Sequence, residues 1–162
     1  MKKILIITGF LLIWHPSAQA ADWAVFLNAF GETATAYLND SFLLLGTTAD
    51  GYVADIVKEQ TARDIVTNVQ KRVRVVRAKL KAVSQCRIAE VDKRLIDLLD
   101  GAYACMDIQA HALLQYIKEK SPDAARRFDE QRGKCLENID EISKFYDKLP
   151  PPPELAEPLS TR

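Results

Sequence analysis

Three cysteines, two histidines and one dense run of basic side chains are the residues of this chain whose types could do chemistry. A cysteine nucleophile needs a neighbouring base, usually histidine, to draw off its proton. Cys86 and His111 are 25 residues apart, roughly 37 Å if one helix holds both. His111 also points away from the apolar stripe of its segment, and Cys105 faces a different direction. Asp107 and His111 stand at the i,i+4 spacing of an ordinary surface pair. Haem attachment through C-x-x-C-H is absent, and Met106 and His111 fall on opposite sides of one helix, so they are not facing axial ligands. A di-iron bundle needs E-x-x-H on two helices, and there is none. Glycine-rich phosphate loops and serine elbows are missing too. The reading is therefore no enzyme, no metal and no cofactor.

The most distinctive local feature is Lys71, Arg72, Arg74, Arg77, Lys79 and Lys81, six basic residues within eleven positions. On a helix they cover the outer arc, while Val73, Val76 and Leu80 turn inward. Such an arc can hold an acidic protein or another anionic surface. It is equally a solvated face near a helix C-terminus, where cations are favoured by the helix dipole. Aromatic residues are not interleaved, so stacking on single-stranded nucleic acid is not suggested. Asp129, Glu130, Glu137, Asp140 and Glu141 read as a wet acidic face.

The compartment follows from the first twenty residues. Lys2 and Lys3 precede an apolar stretch from Ile4 to Trp14, and Ala18-Gln19-Ala20 has the form of an A-x-A cleavage site. The run is too short to span a bilayer. The expectation is a cleaved export signal over 1–20, of Gram-negative type, with the remainder periplasmic or secreted and without a membrane span. Removing two lysines leaves 20 basic against 22 acidic groups, a net charge of −2. Neither that balance nor export favours a nucleic-acid partner.

Residues 21–149 then have to build one domain. The chain is 48% apolar and 27% charged over 162 residues, enough for a single core. Period-two alternation is missing, and apolar residues recur at steps of three and four. The spacing predicts an antiparallel up-down four-helix bundle, with helices over 22–45, 50–83, 88–119 and 122–149. Asp22 is the expected first N-cap and Gly46 the expected left-handed end of helix one, with a turn over 46–51. The second helix carries Ile56, Ala62, Val66, Val69, Val73, Val76, Leu80 and Val83 inward. From Val66 its 3-4-3-4-3 spacing is that of a left-handed bundle. The third stripe runs Ile88, Val91, Leu95, Leu99, Ala102, Met106, Ala110, Leu113 and Ile117. Ser121-Pro122-Asp123 is the clearest boundary: an N-cap serine, a first-turn proline and an acid. The fourth helix turns Phe128, Cys135, Ile139, Ile142, Tyr146 and Leu149 inward. Residues 83–87 contain neither glycine nor proline, so a fused rod and a coiled-coil homodimer stay open, although a break is favoured because a lone rod cannot bury its stripe. Arg132 sits at a seam step; Glu59 is one candidate partner and a snorkelling rim position the simpler one. Pro150 to Pro153 end the helices, leaving an extended tail over 150–162.

The cysteines act as a ruler on this bundle. Counted from the 3–4 turn, Cys105 lies about 15.5 residues back and Cys135 about 14.5 forward, a difference in level of roughly 1.5 Å. A Cys105–Cys135 disulfide is expected in an oxidising compartment. Cys86 and Cys105 would lie roughly 28 Å apart on one helix, so Cys86 is left as the free thiol.

The functional expectation is an exported, non-enzymatic binding or interaction protein, with an accessory, chaperone-like or inhibitor role and another protein as partner. Its alternatives are a bundle that holds a small apolar ligand or cofactor between its helices and a redox-active thiol protein acting through Cys86.

Overall fold

The computed structural model describes residues 16–149, with side chains from residue 29 onward. Residues 1–15, with the basic start and apolar run of the expected export signal, lie outside this range, as does the tail over 150–162. Within it the chain is all-α: α1 (Pro16–Val53), α2 (Glu59–Ser84), α3 (Glu90–Glu119) and α4 (Pro122–Tyr146), with no strand among the described residues. The four run up, down, up and down as a bundle.

The expected stripes form most of the core. Ala62, Val66, Val69, Val73 and Leu80 are buried on α2. Leu95, Leu99, Ala102, Met106, Ala110, Leu113 and Ile117 are buried on α3, and Phe128, Cys135, Ile139 and Ile142 on α4. Each large apolar side chain fully withdrawn from water contributes roughly 1.5–3 kcal/mol, so these stripes supply the main driving force. α3 is the axial element. It lies along α2 and α4 for its whole length and also meets α1, whereas α1 touches α4 little.

The helix ends depart from expectation in specific places. Helix one does not stop at Gly46; α1 continues to Val53. Gly46 has no positive φ, and a Cβ there would lie 2.8 Å from Nη2 of Arg132. The missing side chain lets an arginine cross the helix, while Leu45 and Ala49 keep the apolar step going and are buried. The chain reverses later, where Asp55 takes the left-handed conformation at φ 56°. The amides of Ile56 and Val57 both donate to the Gly51 carbonyl at 2.9 Å. Val57 Cγ2 would lie 2.7 Å from a Cβ on Gly51, so this close approach requires glycine. Helix two therefore starts at Glu59 rather than at 50, and Ile56 is 79% exposed instead of inward. Val91 likewise falls on the first turn of α3 and is exposed. At the other end of the chain, α1 begins at Pro16, so Asp22 lies within the helix and is not its cap.

α2 and α3 are separate, as favoured. The amides of Gln85 and Cys86 bond back to the carbonyls of Ala82 and Val83, a tightening that ends α2 without glycine. α3 ends on Lys120 at φ 52°, whose amide donates to the Tyr116 carbonyl at 2.8 Å. Ser121 then caps α4, its hydroxyl accepting from the Ala124 amide at 3.2 Å. α4 closes at Tyr146, three residues short of the expected end, and Leu149 is only partly buried. Among the described residues no helix is long and apolar enough to cross a membrane.

Candidate functional site

The basic segment lies on α2, but its six charges fall into two groups. Gln70, Arg74 and Arg77 recur at four- and three-residue steps and line the flank that faces α3. Gln70 Nε2 donates to the Asp107 carbonyl at 3.3 Å. Arg74 Nε donates to both carboxylate oxygens of Asp107, at 3.0 and 3.1 Å. Arg77 reaches Asp100 through Nε at 3.1 Å and Nη2 at 3.5 Å. Asp107 is thus claimed by Arg74 and not by His111. These two pairs lie on the rim of the α2–α3 seam, where half-wet ion pairs contribute ~0–1 kcal/mol each and chiefly fix helix register.

The other group is Lys71, Arg72, Lys79 and Lys81. All four are exposed, and none has an ion-pair partner among the described residues. Val75 stands between Lys71, Arg72 and Lys79 and is 56% exposed. α2 thus presents an apolar spot ringed by cations on a rigid helix, while Arg74 and Arg77 are held by α3.

The cysteines lie where the ruler put them. Cys105 and Cys135 are disulfide-bonded, with Cα atoms 5.4 Å apart across the α3–α4 interface. Gln131 Nε2 donates to Cys105 Sγ at 3.1 Å. Cys86 is a free, exposed thiol in the α2–α3 connection, and its Sγ lies 3.7 Å from the Ala82 carbonyl. His111 is exposed at the far end of the α2–α3 seam, beside Arg63, Asp64 and Lys118. Cys86 and His111 are not brought together, and no group of three or more metal-ligating side chains converges among the described residues.

Arg132 does take a rim position, with Nη1 3.5 Å from Asp50 Oδ1. Its partner is not Glu59, which is the first residue of α2 and sits between Arg63 Nη2 and Lys120 Nζ, each at 3.0 Å. The hydrogen bond from Lys120, and then that from Arg63, hold the Glu59 carboxyl below the usual carboxylate range. The same contact raises the Lys120 ammonium.

Tyr103 and Gln109 are buried polar groups that the sequence did not signal. The Tyr103 ring is fully buried, stacks on Tyr37 and donates its hydroxyl to the Ala34 carbonyl at 2.6 Å. Burial, and secondarily the neighbouring Tyr37, push this phenol well above its ordinary range. Gln109 is 0% exposed, and neither its Nε2 nor its Oε1 has a hydrogen-bond partner among the described residues. Tyr103 stands one residue after the stripe position Ala102, and Gln109 one before Ala110, so a wider apolar arc for α3 would have included both.

Two grooves with apolar walls sit between helices. One, of about 530 Å³, lies between the start of α3 and the end of α4 and is lined by Val91, Leu98 and Phe145 with Arg94, Glu141 and Lys144 at its edge. A second, of about 380 Å³, lies between α1 and α2. Compared with known proteins, the chain matches no family model, no curated protein and no solved structure.

Proposed function

We propose that this chain is an exported, non-enzymatic helical interaction protein of the periplasm, which holds an acidic protein partner against the outer face of α2. The observation that carries this reading is the set of cations without an ion-pair partner among the described residues: Lys71, Arg72 and Lys79 around the exposed Val75, with Lys81 further along α2. A helix stiffened by its ion pairs to α3 presents them at little cost in ordering. Charges at the rim of a docking face steer encounter and select against like-charged competitors more than they add affinity. The bonded Cys105–Cys135 pair supports an oxidising compartment, and the A-x-A sequence at 18–20 supports export.

The test has two arms. After cell fractionation the protein is expected in the periplasmic extract with its amino terminus at Ala21; recovery only from the cytoplasmic fraction, starting at Met1, would remove the export reading. A crosslinked pull-down from the same extract is expected to enrich acidic proteins, and Lys71→Glu with Lys79→Glu is expected to lose them. Capture that survives both reversals and is unaffected by salt would refute the α2 face as the binding surface.

A further inference from the structure

We infer that the face formed by α1 and α2 is the contact between two copies of this chain, related by a two-fold axis that sets Asp40 of each against Arg72 of the other. This goes beyond the acidic-partner reading and does not rest on it: Lys71, Lys79 and Lys81 lie outside the α1–α2 groove, and Arg72 alone is shared, so the second copy and the acidic partner compete for it.

The first observation is the chemistry of α1. Over 29–53 its charged residues are Glu32, Asp40 and Asp50, with no basic residue. Its exposed arc carries Glu32, Thr33, Asn39 and Thr47, so the large apolar side chains left on that arc stand out. α2 and α3, with a smaller contact from α4, cover the rest of the helix, and the remaining side leaves Leu43 61% and Leu44 43% exposed. The second observation is the groove beside it, about 380 Å³, with Tyr37, Leu44, Ile65 and Val69 along it and Asp40 and Arg72 on its opposite walls. Neither charge has an ion-pair partner among the described residues.

The arrangement of these charges selects the occupant. An acidic helix laid in the groove would meet Asp40, and a basic one would meet Arg72. A surface that carries one of each in reversed order satisfies both, and a second copy turned about a two-fold axis is such a surface. In an isologous contact residue i meets j and j meets i, so one Asp–Arg pair becomes two. Two adjacent helices of about 25 residues present roughly 37 by 20 Å, on the order of 700 Å² per copy. That lies near the lower end of a stable, specific interface, so a reversible dimer is expected.

Sedimentation equilibrium of the purified protein tests this, with Cys86→Ser as the common background so that Cys105–Cys135 stays bonded. This parent protein is expected to reach twice the chain mass with rising concentration. Asp40→Arg and Arg72→Asp are each expected to weaken the dimer by at least ~10-fold, because each reversal replaces two attractive contacts with two repulsive ones. The double variant Asp40→Arg/Arg72→Asp is expected to return to within ~3-fold of the parent, since the pairs re-form with signs exchanged. Helical circular dichroism checks that every variant is folded. A protein that stays monomeric throughout, single reversals without effect, or a folded double variant that does not recover would each overturn the inference.

Discussion

Replacing Gln109 by leucine should stabilise this bundle. The side chain is 0% exposed and both ends of its carboxamide are without a partner among the described residues. A buried amide that gives up its water hydrogen bonds and gains none costs roughly 1–3 kcal/mol on the scale set by mutational data. Leucine is close in volume, keeps the helix-forming character of the position and brings no polar group. The expected gain is therefore about 1–3 kcal/mol, with a melting temperature higher by ~3–5 °C for each kcal/mol in a domain of this size. Urea titration followed by helical circular dichroism gives the number directly, and an unchanged m-value would assign it to the folded state. A loss of more than ~1 kcal/mol would refute the reasoning. It would mean that the carboxamide is satisfied in solution, by an enclosed water with two or more polar contacts, and that the centre of α3 carries a hydrated site.

Reducing the Cys105–Cys135 bond, which spans 30 residues, should cost about 3–4 kcal/mol in the chain-entropy account. Urea midpoints measured with and without reductant check this, and coincident curves would show that the bond does not constrain the unfolded chain. The acid limb of the stability curve should carry a share from Glu59, whose carboxyl is held below the ordinary 4.5 by Lys120 and then Arg63. Because the folded value is depressed, that share is complete above pH 4.5 and is lost as pH falls through the folded value. Glu59→Gln should flatten melting temperature against pH in that acid range and leave the slope near neutrality unchanged; an acid slope identical to wild type would refute the pairing.

Much of the fold was legible because it rests on spacing. Val66 to Leu80 and Leu95 to Ile117 recur at helical steps without a break, and periodicity needs no knowledge of neighbours. Ser121-Pro122 marked its boundary because capping is a local interaction between a side chain and amides two or three residues on. The Cys105–Cys135 pairing followed from rise per residue once the turn near 120 was placed. Gly46 misled because glycine has two uses, a left-handed φ and room for a neighbour. The neighbour, Arg132, lies 86 positions away in sequence and is invisible to a local reading. The α1–α2 turn was misplaced for the same reason: it depends on Gly51 accepting the close approach of Val57 and on a left-handed Asp55, a residue type that tolerates this conformation without announcing it.

The basic face was half legible. Sequence placed all six cations on one helix, yet sorting the paired from the unpaired requires knowing that Asp100 and Asp107 line the facing side of α3. Net charge hides this, since it counts a neutralised arginine and a free one alike. Gln109 was missed because a helical wheel drawn from apolar residues alone leaves out any polar residue that shares their arc.

The hydroxyl of Tyr103 reaches the Ala34 carbonyl across 69 positions of sequence, and Tyr52 meets the Ile117 carbonyl across 65. During synthesis, then, α1 emerges long before the surface that receives it. Each neighbouring pair of helices can zip as soon as its short loop is complete, so α1 first meets α2 alone. Until residue 117 has followed it out, the side of α1 that α3 covers has nothing to close over it.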